Sequence, residues 1–192
     1  MNVARNNKPN TQLRRGWTTG ACATAATKAA LTALLNGVFP DPVSITLPKG
    51  ETPDFSLCLE KLSSHKAMAG IVKDAGDDPD VTHGATIIAE VSLLAKGKGI
   101  LFKAGEGVGT VTKAGLPLSI GQPAINPIPR KMMQEVVWQI CQENNISPDV
   151  QITISVPDGE NIAKQTWNPR LGIVDGISIL GTTGIVHPFS CS

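Results

Sequence analysis

Tyrosine is absent from the sequence, and aromatic residues together make up only 4% of it. Charge is scarce as well: 17% of the 192 residues are Asp, Glu, Lys or Arg, and the formal net charge is +1. Because the chain has neither a basic field nor aromatic stacking positions, we do not expect it to bind nucleic acid. A hydrophobic fraction of 41% excludes an intrinsically disordered protein.

Cysteine is rare and scattered, and long apolar runs are missing. The four cysteines form no CxxC pair, and His65, His83 and His187 have no partners at metal-ligand spacing, so we expect no protein-bound metal. No apolar run reaches the roughly 18 residues of a membrane span. The first residues, MNVARNNKPNTQ, lack the apolar core of a signal peptide and predict a polar arm over residues 1–12. We therefore expect a cytoplasmic protein.

An alanine-rich segment is the most regular feature of the chain, and it predicts a helix over residues 18–36. Thr18 or Thr19 can cap the free N–H groups of its first turn, and Gly37 suits the left-handed residue that follows a helix. Apolar residues occupy most faces of this helix, which predicts burial on nearly all sides.

Four stretches show the alternation of apolar and polar residues that is typical of strands buried on one face. They are VSITL, DFSLCLE, ATIIAEVSL and VQITISV, beginning at Val43, Asp54, Ala85 and Val150. Apolar residues recur every four positions near residues 128–144, which indicates an amphipathic helix with Asn126 as its cap. Strands in runs with only occasional helices predict an α+β fold with mixed or antiparallel sheets.

The segment KDAGDDPDVTHGA crowds four carboxylates into seven residues. Its spacing excludes an EF-hand, and a solvated acidic loop explains it as well as a functional site does. Carboxylates repel one another unless a cation, a proton or a donor-rich ligand lies among them, so acid–base chemistry stays open. The candidates for that role are Asp77, Asp78, Asp80 and His83.

The segment GEGVGTVTKAGL does not match a dinucleotide-binding fingerprint. The third glycine is required at position 110 but lies at Gly109, and the residues after it favour a strand where a helix is needed. Glycines in such a context mark bends, or the close approach of the backbone to a ligand or to another strand. Cys22, inside the alanine-rich helix, is interpreted as a small buried hydrophobe and not as a nucleophile.

Five segments occur in order along the chain: RRGWTTGACATAATKAAL, DAGDDPDVTHGA, GEGVGTVTKAGL, GQPAINPIPR and NPRLGIVDGISILGTTGIV. Together they resemble the CbiD family, the cobalt-precorrin-5B C1-methyltransferases of anaerobic cobalamin biosynthesis. The resemblance implies a CbiD-like α+β domain over residues 13–188, followed by a short end at 189–192. Members of the family continue beyond GTTGIV into an α/β portion that resembles a nucleotide-binding fold. Because this sequence stops at Ser192, we expect that portion to be absent and the domain to be incomplete.

The resemblance implies methyl transfer from S-adenosylmethionine to ring carbon C1 of cobalt-precorrin-5B, giving cobalt-precorrin-6A. The electron-rich macrocycle is itself the nucleophile, so the protein has to align the two reactants and exclude water. Cobalt would arrive as part of the tetrapyrrole substrate. Other enzymes of the same pathway, or a second copy of the chain, are further candidate partners.

Carboxylates on such a substrate suit arginines and helix N-termini. We therefore expect a carboxylate-binding mouth at the start of the first helix, assisted by two arginines from elsewhere. The substrate-binding candidates are Arg14, Arg15, Thr18, Thr19, Gly20, Arg130 and Arg170. The candidates for cofactor binding lie in two glycine-rich turns: Gly105, Gly107, Gly109, Gly181, Thr182, Thr183 and Gly184.

Two other classes of function stay open. An incomplete domain could act as a non-catalytic tetrapyrrole-binding module. A small-molecule phosphotransferase could hold phosphate at the Thr-Thr-Gly start of the first helix, although no Walker loop supports it.

Overall fold

The computed structural model describes residues 13–188, so the predicted arm over residues 1–12 and the end at 189–192 lie outside the described residues. The helices within it are α1 (Thr19–Asn36), α2 (Pro127–Glu143), α3 (Gly159–Ala163) and α4 (Asn168–Leu171). The strands are β1 (Gly16–Trp17), β2 (Val43–Ser44), β3 (Asp54–Phe55), β4 (Leu59–Leu62), β5 (Lys66–Val72), β6 (Thr86–Leu93), β7 (Ile100–Ala104), β8 (Thr110–Val111), β9 (Val150–Ser155), β10 (Ile173–Val174) and β11 (Ile185–Val186).

A five-stranded sheet in the order β4-β5-β6-β9-β7 forms the framework. Neighbouring strands in this sheet are antiparallel, except for β7 and β9, which are parallel. The three middle strands bury alternate residues on one face, as the period of two predicts for β6 and β9. These residues are Ala67, Ala69 and Ile71 of β5, Ile87, Ala89 and Val91 of β6, and Val150, Ile152 and Ile154 of β9. The prediction of an α+β fold with mixed and antiparallel sheets is confirmed.

Helix α1 lies between this sheet and α2, in contact with β5 and β6 on one side and with α2 on the other. The Thr18 hydroxyl accepts a hydrogen bond from the Ala21 N–H at 3.1 Å, and Gly37 ends the helix with a left-handed φ of 81°. Its alanine side chains are small enough for close packing on two sides at once. The predicted buried helix and its two ends are therefore confirmed.

Helix α2 is amphipathic, and its inner face packs against α1. The buried residues of that face include Met133, Val137 and Ile140, whereas Trp138 on the outer face is 63% exposed. Asn126 does occupy the N-cap position, but its side chain makes no capping hydrogen bond. The predicted cap position of Asn126, with Pro127 at the first helical position, is therefore confirmed.

The stretch DFSLCLE does not form the one strand that its alternation suggests. It divides into β3, which pairs with β2, and β4, which pairs with β5 in the main sheet. Between them the Leu57 N–H donates to the Asp41 carboxylate, and the Cys58 N–H donates to the Gly70 carbonyl. The same period of two runs through both pieces, so the pattern alone does not show where the chain changes sheet.

The last of the five segments, NPRLGIVDGISILGTTGIV, is the glycine-rich C-terminal segment, and it packs between the other motifs. Strand β10 pairs with β8, and β11 pairs with β1 next to the start of α1. Between these strands, the Ile177 N–H donates to the Gly107 carbonyl and the Ile179 N–H donates to the Ala124 carbonyl. The five segments that are separate in the sequence thus form one packed region. None of the helices formed by residues 13–188 is both long and apolar enough to span a membrane.

Candidate functional site at the start of helix α1

A cleft of about 430 Å³ opens where the start of α1, the acidic loop after β5, α4 and the C-terminal segment meet. Its walls are mainly apolar, and a smaller set of polar side chains lies among them. The polar lining includes Thr18, Lys73, Asp80, Thr82, Asn168 and Ser178. The apolar lining includes Val81, Trp167, Leu171, Ile177, Leu180 and Val186.

The C-terminal segment occupies the mouth of α1. The Gly20 N–H donates to the Leu180 carbonyl at 2.8 Å, and the Thr18 N–H donates to the Gly184 carbonyl at 3.0 Å. The Thr19 hydroxyl both donates to the Leu180 carbonyl and accepts from the Leu180 N–H. These donors are satisfied within the chain, so the expected open cradle of N–H groups is not present; Thr18 and Thr19 instead line the cleft.

Gly181 permits this close approach. It adopts a φ of +133°, and a Cβ atom at this position would lie 2.3 Å from the Thr18 hydroxyl oxygen. Gly181 also lines the cleft. Of the neighbouring cofactor candidates, Thr183 exchanges hydrogen bonds with Ile185, Gly184 packs on Leu47, and Thr182 is exposed.

Lys73 is the most unusual residue of the cleft, because only 1% of its side chain is exposed. Its ammonium group donates to the Asp80 carboxylate at 2.6 Å. The second Asp80 oxygen accepts from both the N–H and the hydroxyl of Thr82, at 2.7 and 2.6 Å. Both oxygens of Asp80 are therefore engaged by donors of the chain.

The pKa of Asp80 reflects two opposing influences. Burial, the largest single influence, raises the pKa, but the hydrogen bonds from Lys73 and Thr82 and the Lys73 charge together lower it by more. The net pKa lies below the ordinary value of an aspartate. Asp80 is thus a stable carboxylate partner for Lys73 and a weak proton acceptor.

The other end of the acidic loop is tied to the segment before α1. Arg14 holds Asp74 through two hydrogen bonds, at 2.5 and 3.0 Å, and this contact is the main reason that the pKa of Asp74 is lowered. The Arg14 N–H also donates to the Asp77 carboxylate, and the Asp77 N–H donates back to the Arg14 carbonyl. A Cβ on Gly16 would lie 2.0 Å from the Ala75 backbone, so glycine is needed for the two segments to lie this close.

The predicted acid–base and carboxylate-binding residues of this region therefore do not meet in one site. Arg15 pairs with Glu51 at 3.1 Å, outside the cleft. The Nδ1 atom of His83 accepts from the Ala75 N–H at 3.0 Å, which places the proton of the neutral ring on Nε2. Asp77 and Asp78 lie on the loop but do not line the cleft, so Asp80 alone of the acidic candidates does.

The two remaining arginine candidates differ. Arg130 donates to the carbonyls of Ile125 and Pro123, stacks on Phe102 at 5.3 Å and has its pKa lowered by burial. It holds a turn of the chain together. Arg170 instead stacks on Trp167 at 4.7 Å, and this indole, which is 68% exposed, lies at the rim of the cleft.

Gly105, Gly107 and Gly109 serve packing of the backbone. A Cβ on Gly107 would lie 2.0 Å from the Val156 carbonyl oxygen, and one on Gly105 would lie 2.1 Å from the Ser155 hydroxyl. A Cβ on Gly109 would likewise clash with Ile173 and Gly176. At all three glycines the close approach is to other parts of the chain itself.

Lys73 is the residue that sequence reasoning missed. It continues the alternation of buried residues Ala67, Ala69 and Ile71 on β5, and a lysine on an inward-facing position is a signal that could have identified it.

Nearby Cys22 is fully buried, and this burial raises the pKa of its thiol to about 12 although the Lys73 charge opposes the shift. The interpretation of Cys22 as a buried hydrophobe is confirmed. Within residues 13–188, no cluster of three His, Cys, Asp or Glu side chains could hold a metal ion.

Comparison with known proteins connects this region to one family. A model of the CbiD family matches residues 6–188. The chain is 70% identical over 181 residues to the cobalt-precorrin-5B C(1)-methyltransferase of Brucella anthropi, an alignment covering 94% of this chain and 49% of that protein. It is 67% identical over 189 residues to the protein of the same name from Brucella canis, covering 98% and 51%. The chain thus spans about half the length of the curated relatives it matches.

A solved structure shares the fold. The cobalamin biosynthesis protein (cbiD) from Archaeoglobus fulgidus superposes with a TM-score of 0.69 at 35% sequence identity, over 92% of this chain and 55% of that one. The family model covers all of the described residues, and the arrangement of helices and sheets matches that of the archaeal protein. The chain belongs to the CbiD family.

Proposed function

We propose that this chain forms the tetrapyrrole-binding part of a cobalt-precorrin-5B C1-methyltransferase. In this role it takes part in transferring a methyl group from S-adenosylmethionine to ring carbon C1, giving cobalt-precorrin-6A in anaerobic cobalamin biosynthesis. The observation that carries the proposal is the composition of the cleft. Most of its lining comes from three of the five segments on which the family resemblance rests, and relatives at 67–70% identity are named for this activity.

The size and polarity of the cleft support a large amphipathic ligand. Small-molecule sites span roughly 300–1,000 Å³, so a cleft of about 430 Å³ would hold one edge of a macrocycle and leave the rest at the surface. Trp167 and Leu171, 68% and 49% exposed, would then cover part of a ring face. Arg170, stacked on Trp167, would lie within reach of the carboxylates at the periphery of the ring.

S-adenosylmethionine would supply an electrophilic methyl group on a sulfonium ion, and the ring carbon would supply the electron pair. The part of this chain is to hold the macrocycle edge, exclude water with the apolar wall and orient the reacting carbon. Of the glycine candidates for the donor, Gly181 alone lines the cleft. Gly105, Gly107 and Gly109 do not fit, because their Cα positions face the chain's own atoms.

The test is to mix the purified protein with cobalt-precorrin-5B and methyl-labelled S-adenosylmethionine, then record the visible spectrum and the mass of the pigment. Label on the pigment would support methyl transfer by these residues alone. A spectral shift without label would support tetrapyrrole binding by these residues and would leave open the second candidate, a non-catalytic binding module. Neither shift nor label would contradict both.

Nucleotide-dependent thermal stabilisation would be the sign of a phosphotransferase, and we do not expect it. The Gly20 N–H that phosphate would need donates instead to the Leu180 carbonyl.

We include in the proposal a cytoplasmic location, association with other enzymes of the pathway and self-association. The sedimentation behaviour of the protein would test self-association.

A further inference from the structure

We call Thr18, Lys73 and Asp80 the floor of the cleft. This floor has more hydrogen-bond donors than the chain uses. A lysine ammonium has three N–H bonds, and among the residues that the structure describes Lys73 uses one, to Asp80. The Thr18 hydroxyl accepts from the Ala21 N–H, which leaves its own proton free to donate. Asp80, in contrast, has both oxygens engaged by Lys73 and Thr82. The unused hydrogen-bonding capacity of the floor is therefore for donating to ligand oxygens.

The position of Lys73 makes this capacity unusual. A lysine with 1% of its side chain exposed loses most of its hydration, and one carboxylate partner replaces only part of it. Lys73 and Asp80 are the only charged side chains in the lining drawn from residues 13–188. Lys73 is thus the cation of that lining, and the remaining bonds of its ammonium would be strongest to a charged acceptor.

We infer that Lys73 binds a carboxylate group of the ligand at the floor of the cleft, with the Thr18 hydroxyl as a second donor and Asp80 as the residue that positions the ammonium group. The inference rests on the proposed function, because that function supplies two ligands with carboxylates. One source is the periphery of the tetrapyrrole. The other is the amino-acid end of the methyl donor.

The experiment measures affinities of the protein for two matched pairs of probes by titration calorimetry. The first pair is a cobalt corrin with free carboxylate side chains and its fully amidated counterpart. The second is S-adenosylhomocysteine and its carboxylate methyl ester. The variant carries Lys73→Met and Asp80→Asn together, since removing both charges leaves neither one buried alone. The control carries Lys66→Met and Glu90→Gln, which removes a 2.8 Å pair between β5 and β6, away from the cleft.

We expect the unmodified protein and the control to prefer one carboxylate probe over its neutral partner by roughly ten- to a hundredfold, the usual size of a charge-assisted hydrogen bond. The Lys73→Met, Asp80→Asn variant should lose that preference and keep its affinity for the neutral probe. Loss confined to the corrin pair would assign the carboxylate to the tetrapyrrole, and loss confined to the other pair would assign it to the methyl donor.

Two results would overturn the inference in different ways. If the unmodified protein binds the probes and the variant keeps the preference, Lys73 does not hold the carboxylate, although the proposed function stands. If the unmodified protein binds neither pair, the proposed function fails and the inference fails with it. Should the variant not fold, NMR of ¹⁵N-lysine-labelled unmodified protein decides: the buried ammonium signal must shift with the carboxylate probe and not with the neutral one.

Discussion

The acidic loop between β5 and β6 has an ion pair at each end, and the two differ mainly in their access to water. Lys73 and Asp80 meet at 2.6 Å with side chains 1% and 26% exposed, whereas Arg14 and Asp74 meet at 2.5 Å with side chains 58% and 44% exposed. Water screens the second pair and competes for its hydrogen bonds, but it does both far less for the buried Lys73. One ion pair thus holds the loop against the segment before α1, and the other lines the cleft.

Removing Asp80 should give the largest effect. Asp80→Asn would leave the Lys73 ammonium buried without a counter-charge, and breaking such a pair typically costs 3–5 kcal/mol. Because 26% of the Asp80 side chain is exposed, we expect a loss of about 3 kcal/mol in the free energy of unfolding, measured by urea denaturation. Asp78→Asn, on the same loop, is the matched control and should change stability by less than about 0.5 kcal/mol. Equal losses in the two variants would show that the burial of the pair has no special weight.

The two ends of the loop were not equally readable from the sequence. The crowding of carboxylates singled out the loop, and Asp80 was among the candidates, but nothing in local spacing shows which aspartate turns inward. That choice depends on Lys73, which β5 places in the core by its parity with Ala69 and Ile71. Strand β5 itself was missed, because its apolar positions are small alanines that give a weak alternating pattern.

The fold was more accessible than the site, for a physical reason. The caps and the burial of α1 are local consequences of Thr18, Gly37 and a run of alanines, and all three were predicted. The role of the helix start is not local, because the Gly20 N–H donates to the Leu180 carbonyl. Leu180 lies 160 residues further along the chain than Gly20. Pairings over such distances leave no periodic mark, so an open anion cradle and a closed helix mouth look the same in the sequence.

Acid should weaken both pairs, and the sign follows from the lowered pKa values of Asp74 and Asp80. A carboxylate whose pKa is lower in the folded protein stabilises it above the unfolded value, about 3.9, and this stabilisation is lost as pH falls through the folded pKa. We expect the free energy of unfolding to fall as pH drops below about 4. The fall should be shallower in Asp80→Asn than in Asp78→Asn, in urea titrations at several pH values. Parallel curves would contradict a lowered pKa at Asp80.

The smallest effect is expected at the exposed end of the loop. Arg14→Gln removes the guanidinium that holds Asp74, but Asp74 keeps a hydrogen bond from the Gly76 N–H at 2.9 Å and remains open to water. The loss in stability should be well below that of Asp80→Asn, and salt at about 0.5 M should abolish it, because screening acts on exposed charges. The same salt should change the Asp80→Asn loss much less, since the Lys73 side chain is 1% exposed and salt screens buried charges weakly. Thermal unfolding of both variants at low and high salt measures the contrast, and a salt dependence shared by both would mean that solvent access does not separate the two pairs.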